Sequence, residues 1–271
     1  MKSPKPIRHK NLKWVCPDML KPYLHDEHIP KMFKYNFRKW IASSKLNTIA
    51  GLDTFNSTSI TSGSVQIFDH FYLRHHKKRF RFLEGEYMYH KAVCKHGLEY
   101  SFLEDEVLNC GDAVIISVPY TRQGTQHEDL FNLLYNCNKL NVPVLLDFSH
   151  LPIAKNVNID LTEHRCIETL AFSLSKLCHG AEHLRIGVRM QKENIDDGID
   201  ATNSLGMYAR LDIGIANNLI KNYSIDYNWN TYSEVYSKYC KENNLDECNN
   251  ILFGFENNER ICIDYDKTHT H

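Results

Sequence analysis

Two short apolar runs constrain this chain more than any other feature. Gly111-Asp-Ala-Val-Ile-Ile-Ser117 and Pro143-Val-Leu-Leu-Asp147 are continuous rather than alternating, and each is too short for a helix. Such runs read as strands buried on both faces, as in a parallel sheet covered by helices. Between them, residues 127–140 put Leu130, Leu133, Leu134, Cys137 and Leu140 on one helical stripe. Strand, helix and strand joined by short loops make a right-handed βαβ unit. The fold class that follows is α/β, a mostly parallel central sheet flanked by helices.

A chain of 271 residues makes one large domain or one and a half. Its 42% hydrophobic content supplies a substantial core, and a net charge of −1 gives no global attraction to nucleic acid or membrane. No apolar run approaches the roughly 18 residues of a membrane span. The Lys/Pro/His-rich N-terminus has no secretory core. Nine cysteines without a C-x-x-C pair read as reduced, partly buried thiols of a cytoplasmic protein. Fifteen histidines include His75-His76 and the terminal His269 and His271, but no H-E-x-x-H spacing, so no metal site is expected.

Ligand-type features occur along the chain. Asn56 to Ser64 is rich in small hydroxyl residues and runs into Ile67, Phe68, Phe71 and Tyr72 at helical spacing. A helix therefore begins near Gly63-Ser64, with N–H groups and a dipole suited to an anion; the plain alternative is a Ser/Thr N-cap. The basic run from Arg74 to Arg81 reads as a solvated helix end followed by a strand over Phe80–Leu83. A nucleic-acid surface would need an accompanying basic domain. Asp147 ends its strand where open α/β sheets place ligands. A further apolar run, Thr169–Phe172, ends in Ser173-Leu-Ser175-Lys176, and Arg185 and Gly187 follow. A strand that delivers a lysine beside two hydroxyls and a second cation suits an anion and an electrophilic carbonyl. Once burial or a neighbouring cation deprotonates that lysine, it can form a Schiff base.

In this order, and over roughly residues 50–190, these segments resemble the fold-type I pyridoxal-phosphate (PLP) enzymes, the aminotransferase superfamily. The resemblance implies that Ser62, Gly63, Ser64, Ser173 and Arg185 contact the cofactor phosphate, with Ser175 beside them and Arg189 as an alternative cation. Tyr87, or else Tyr89, would stack on the pyridine ring. Thr121 stands where the family carries Asn in its Asn-Pro-x-Gly loop, with Arg122 or Gln123 as alternatives, while Gly124 fits the pattern. In Asp147-Phe-Ser-His150, Asp147 would pair with the pyridine nitrogen and His150 with the ring hydroxyl. Lys176 would hold PLP as a Schiff base and then act as general base. Arg260, on a late strand, would hold the substrate carboxylate; the alternative is an exposed edge-strand arginine.

The same resemblance implies a PLP-binding large domain over 46–190. Residues 1–45 and 191–271 would form a reduced small domain and an N-terminal arm. Within these, Pro4, Pro6, Pro17, Pro22 and Pro30 interrupt the start, and Met32–Ile41 reads as a short helix. Asp200–Ile220 and Thr231–Asn243 read as helices. Phe253–Phe255 and Arg260–Ile263 read as a hairpin turning at Asn257-Asn258. The implied activity is transamination between an amino-acid substrate and a keto acid, in a homodimer without nucleic-acid or membrane partners. Decarboxylation, elimination or cyclisation of an amino acid is the alternative chemistry. A non-catalytic scaffold that keeps the fold is the alternative class.

Overall fold

The computed structural model describes Ile7, residues 20–178 and residues 180–265. The expectations on Pro4, Pro6, Pro17, His269 and His271 lie outside these residues. Helices α1 (Leu20–His25) and α2 (His28–Ala42) lead into strands β1 (Thr48–Ala50) and β2 (Ser57–Thr61). Then come α3 (Ser64–Arg74), β3 (Arg79–Phe82), α4 (Met88–Cys94), β4 (Tyr100–Phe102), β5 (Asp112–Ser117), α5 (Leu130–Leu140) and β6 (Val144–Asp147). They are followed by β7 (Asn158–Asp160), β8 (Ile167–Ser173), β9 (Gly187–Gln191), α6 (Gly198–Ser204), α7 (Arg210–Asn222) and α8 (Tyr227–Glu242). β10 (Phe253–Glu256) and β11 (Glu259–Cys262) form an antiparallel hairpin.

Seven strands make the central sheet, in the order β2-β9-β8-β6-β5-β3-β4. β9 is antiparallel to both of its neighbours, and the other pairs are parallel. Every residue of β5 and β6 is buried. Their side chains alternate between two cores, as the period of two requires. Ala113, Ile115 and Leu145 pack with Ile67, Phe68, Phe71 and Tyr72 of α3. Val114, Ile116, Val144 and Leu146 pack on the other face with Leu134 and Cys137 of α5 and with Phe33 and Phe37 of α2. A third cluster joins Trp229, Tyr232 and Tyr236 of α8 to Phe253, Ile263 and Tyr265. Among the described residues no helix is long and apolar enough to cross a membrane.

Three local expectations need adjusting. The helix expected over Met32–Ile41 runs from His28 to Ala42, and its Phe37 ring meets Phe172 of β8 edge-on at 5.6 Å. The helix expected over Asp200–Ile220 is two helices, because Gly206 adopts φ +66° and breaks the path between α6 and α7. The basic run at 74–81 is only partly solvated. Arg81 is fully buried and donates to Asp112 Oδ2 at 2.9 Å and to the carbonyls of Val107, Phe102 and Glu106. Arg79 pairs with Asp112 and Glu106, and Arg74 and His75 face Glu168. These cations tie β3 to its neighbours.

Candidate active site

The carboxyl ends of β2, β3, β5, β6 and β8 share one edge of the sheet, with the start of β9 between β2 and β8. Gly187, the first residue of β9, pairs with Thr61 on one side and Ser173 on the other. A Cβ at Gly187 would lie 2.6 Å from Thr61 Oγ1 and from the Gly63 carbonyl carbon, so only glycine allows this approach. Gly63 adopts φ +82° and caps α3, whose first residue is Ser64. The Arg185 guanidinium lies against it: a Cβ on Gly63 would be 2.7 Å from Nη2. Nη2 also lies 3.4 Å from the Ser62 carbonyl oxygen. On the other side of Gly187, Ser173 Oγ donates to Ser175 Oγ at 3.0 Å. The sheet thus gathers Ser62, Gly63, Ser64, Ser173, Ser175 and Arg185 around one strand start. The first-turn N–H groups of α3 and the Arg185 fork there are anion donors.

Asp147 closes β6 beside this cradle. Its Oδ1 accepts from Ser149 N at 2.9 Å and Ser149 Oγ at 2.5 Å. Among the described residues no group donates to Oδ2, although the residue is only 6% exposed. Burial pushes the Asp147 carboxyl up to about 6, against those two hydrogen bonds. Its register partner across the sheet is Ser117 of β5. Ser117 donates from its backbone N to Glu86 Oε1 at 2.8 Å and from its hydroxyl to Oε2 at 2.6 Å. Burial pushes the Glu86 carboxyl up to about 7, and the charge of Asp147 adds to the rise. Thr121 Oγ1 donates to Ser117 Oγ at 3.0 Å.

Lys176 follows β8 in the loop that begins at Ser173. Burial depresses its amine below the usual lysine range. Arg260 works in the same direction, and Glu182 and Cys262 oppose it. The same cations reach His150: burial first, then Lys176 and Arg260, push its imidazole down to about 3. His150 Nδ1 is 3.2 Å from Asn250 Nδ2. Arg260 sits on β11, donates from Nη1 to the Thr121 carbonyl at 3.0 Å and lies 5.0 Å from the centre of the Phe253 ring. Gly124, at φ +68°, is the point where the hairpin presses on the β5 loop. A Cβ there would fall 2.7 Å from Phe253 and 2.9 Å from Asn250.

These contacts connect Thr121, His150 and Arg260 through Gly124, Asn250 and Phe253, and the charge of Lys176 acts on His150. The Tyr87 ring stands more apart. It opens α4, is 42% exposed, and lies nearly parallel to Tyr89 at 6.0 Å, while Tyr89 donates to Asp69 of α3. Arg189 is buried against Asp197 and Asp200, away from the cradle. Arg122 faces Glu84 on the surface. Three polar residues of this edge escaped sequence reading: Glu86, Ser117 and Asn250. Glu86 adjoins Tyr87, but only the pairing of β5 with β6 shows what its carboxyl meets.

No protein-family model matches the chain, and no curated protein matches it. Solved structures do match. A protein from Silicibacter pomeroyi, provisionally assigned as an aminotransferase, superposes with a TM-score of 0.68 at 12% identity, over 94% of this chain and 73% of that one. A PLP-bound protein from Clostridium difficile 630 with the same provisional assignment gives a TM-score of 0.66 at 15% identity, over 93% and 76%. The chain has the fold of the fold-type I aminotransferases. That fold also holds a different reaction: the PLP-bound C-S lyase from Staphylococcus hominis matches with a TM-score of 0.58 at 11% identity, over 88% and 73%.

Proposed function

We propose that the protein is a PLP-dependent enzyme acting on an amino acid, and that its reaction is transamination with a keto acid. The observation that carries this reading is the convergence on one sheet edge of an anion cradle, a buried carboxylate and a deprotonation-prone lysine. The residues fit the cofactor at each end. Two glycines, Gly63 and Gly187, allow the close approach that assembles the cradle, which offers α3 N–H groups, Arg185 and the Ser173 and Ser175 hydroxyls to a phosphate. The buried Asp147 has an oxygen left for a ring N–H. Tyr87 offers an exposed aromatic face.

PLP, when bound, supplies an electron sink for the bonds at the substrate Cα. The chain supplies binding, orientation and proton movement. Ser149 fixes Asp147 through Oδ1, and the second oxygen would be free to hold a proton on the ring nitrogen. Lys176, whose amine burial depresses below the usual lysine range, would be the residue that anchors the cofactor and would then move the proton at the substrate Cα. His150, neutral across the physiological range, can bond the ring hydroxyl without adding charge. Thr121 orients through its Ser117 bond, and its carbonyl holds the Arg260 guanidinium that meets the substrate carboxylate.

The test is an absorption titration of the purified protein with PLP, beside Lys176→Ala. A visible band that borohydride fixes on Lys176 and that the variant lacks is the expected result. Turnover of the wild type should then require a keto acid, and Lys176→Ala should lose about 10²-fold or more of it. No band at excess PLP would refute the cofactor reading and favour a scaffold. A band with turnover independent of keto acid would assign elimination or decarboxylation instead.

A further inference from the structure

The Glu86 carboxyl has no part in the reading above, yet it lies on the same sheet edge as Asp147. Ser117 and Asp147 are register partners on adjacent parallel strands, so their side chains leave the same face. Glu86 grips both the N–H and the hydroxyl of Ser117, which sets its carboxyl on that face beside Asp147. The polar chain continues from Ser117 to Thr121 Oγ1, and the Thr121 carbonyl accepts from Arg260. The other ionisable groups that influence Glu86 or surround its segment are neutral acids or anions, apart from one surface arginine and the buried His90 of α4. His90 packs against Tyr87 and bonds Tyr72, and burial pushes its imidazole down to about 3. Tyr72 and Asp69 lie on α3, and Tyr120 lies after β5. At the rim, Glu84 meets Glu104 through its backbone N–H and Arg122 through its carboxylate.

We infer that Glu86 is a positioning residue of the cofactor site: Glu86, held on Ser117, and Asp147, the register partner of Ser117, form one coupled acid pair. The inference rests on the PLP reading for its cofactor half only. Asp147 loses its proton first, and its charge then holds the proton on Glu86. A cation seated on Asp147, such as a protonated ring nitrogen, offsets that charge and lets Glu86 ionise. By reciprocity, ionisation of Glu86 tightens binding of the cation. A Glu86 that merely buttressed Ser117 would show the same pH dependence whether or not Asp147 can ionise.

The pair is tested first without cofactor, in a double-mutant cycle of Glu86→Gln and Asp147→Asn followed by thermal unfolding. At pH 5 the stabilisation by Asp147→Asn should be the same with Glu86 or Gln present. At pH 8 it should be larger by about 2–4 °C when Glu86 is present, as expected when an ionised neighbour is removed. Equal values at both pH values overturn the pair. The second measurement is the PLP affinity of wild type and Glu86→Gln from pH 6 to 8. Titrations of Lys176 and of the phosphate are common to both proteins, so the difference reports Glu86. The wild type should gain several-fold more affinity across this range than the variant; parallel profiles overturn the role. If neither protein binds PLP at any pH, the cofactor reading fails, while the cycle still decides the pair.

Discussion

Arg260 and Gly63 show how single positions set the chemistry of this edge. Arg260 is held by the Thr121 carbonyl and the Phe253 ring, so its planar fork is oriented before a carboxylate arrives. Replacing it with Ala should raise the KM for the amino-acid substrate by about 10–100-fold, since a charge-assisted bond contributes about 1.5–3 kcal/mol. A lysine there should recover only part of this, and steady-state kinetics with a short amino donor would measure it. Gly63→Ala meets two obstacles, the left-handed φ and the Arg185 guanidinium. The strain costs about 1–2 kcal/mol, and the displaced guanidinium should weaken PLP binding without dissolving the fold. The absorption titration and far-UV circular dichroism separate those effects. The placement of Lys176, Asp147 and Arg185 at one sheet edge was legible in the sequence because each stands at or just after an apolar run or near a glycine. That of Glu86 and Asn250 was not, because each acquires its partner from a segment distant in sequence and has no spacing signal of its own.

Among the elements, the βαβ unit of β5, α5 and β6 could be read from periodicity alone, and its limits moved by only a few residues. The hairpin of β10 and β11 was equally legible: Asn257 and Asn258 both adopt positive φ, as a tight two-residue turn requires. The break between α6 and α7 was not, since the apolar pattern continues across Gly206. The burial of Arg81 was hidden for a different reason. A run of cations reads as solvated until the facing strand supplies Asp112, and that pairing is a tertiary fact. The Arg81–Asp112 pair holds β3 against β5 and reaches β4 through the Phe102 carbonyl. Arg81→Met removes the buried partner of Asp112 but leaves it Arg79, so it should destabilise the protein by about 1–3 kcal/mol. Changing both residues to apolar ones should cost less than Arg81→Met alone, and urea denaturation of the three proteins would show it.

At the scale of the whole molecule, acid and base sensitivities oppose each other. His90 is buried against Tyr72 and Phe68, and burial pushes its imidazole down to about 3; His150 behaves likewise. Both lie below their unfolded value, so the stability they permit is present above about pH 6.5 and is lost as the pH falls towards 3. Asp147 and Glu86 lie above theirs, so their contribution is greatest in acid and declines as the pH rises through about 4 to 7. Relative to wild type, His90→Gln should therefore gain stability on acidification from pH 7 to 5, by up to about 1.4 kcal/mol per pH unit. Thermal unfolding at four or five pH values would show the crossing. The sheet itself carries a consequence for how such a chain comes to be made. Among the described residues β2, the first strand of the large sheet in the sequence, pairs only with β9, and Ser57 pairs with Gln191. The earliest strand therefore waits for the latest, a long loop closure that slows folding. Until a ribosome has released Gln191, the turn that opens α3 hangs from an unpaired strand, and a nascent chain has the parts of the Gly63–Gly187 cradle without yet having the cradle.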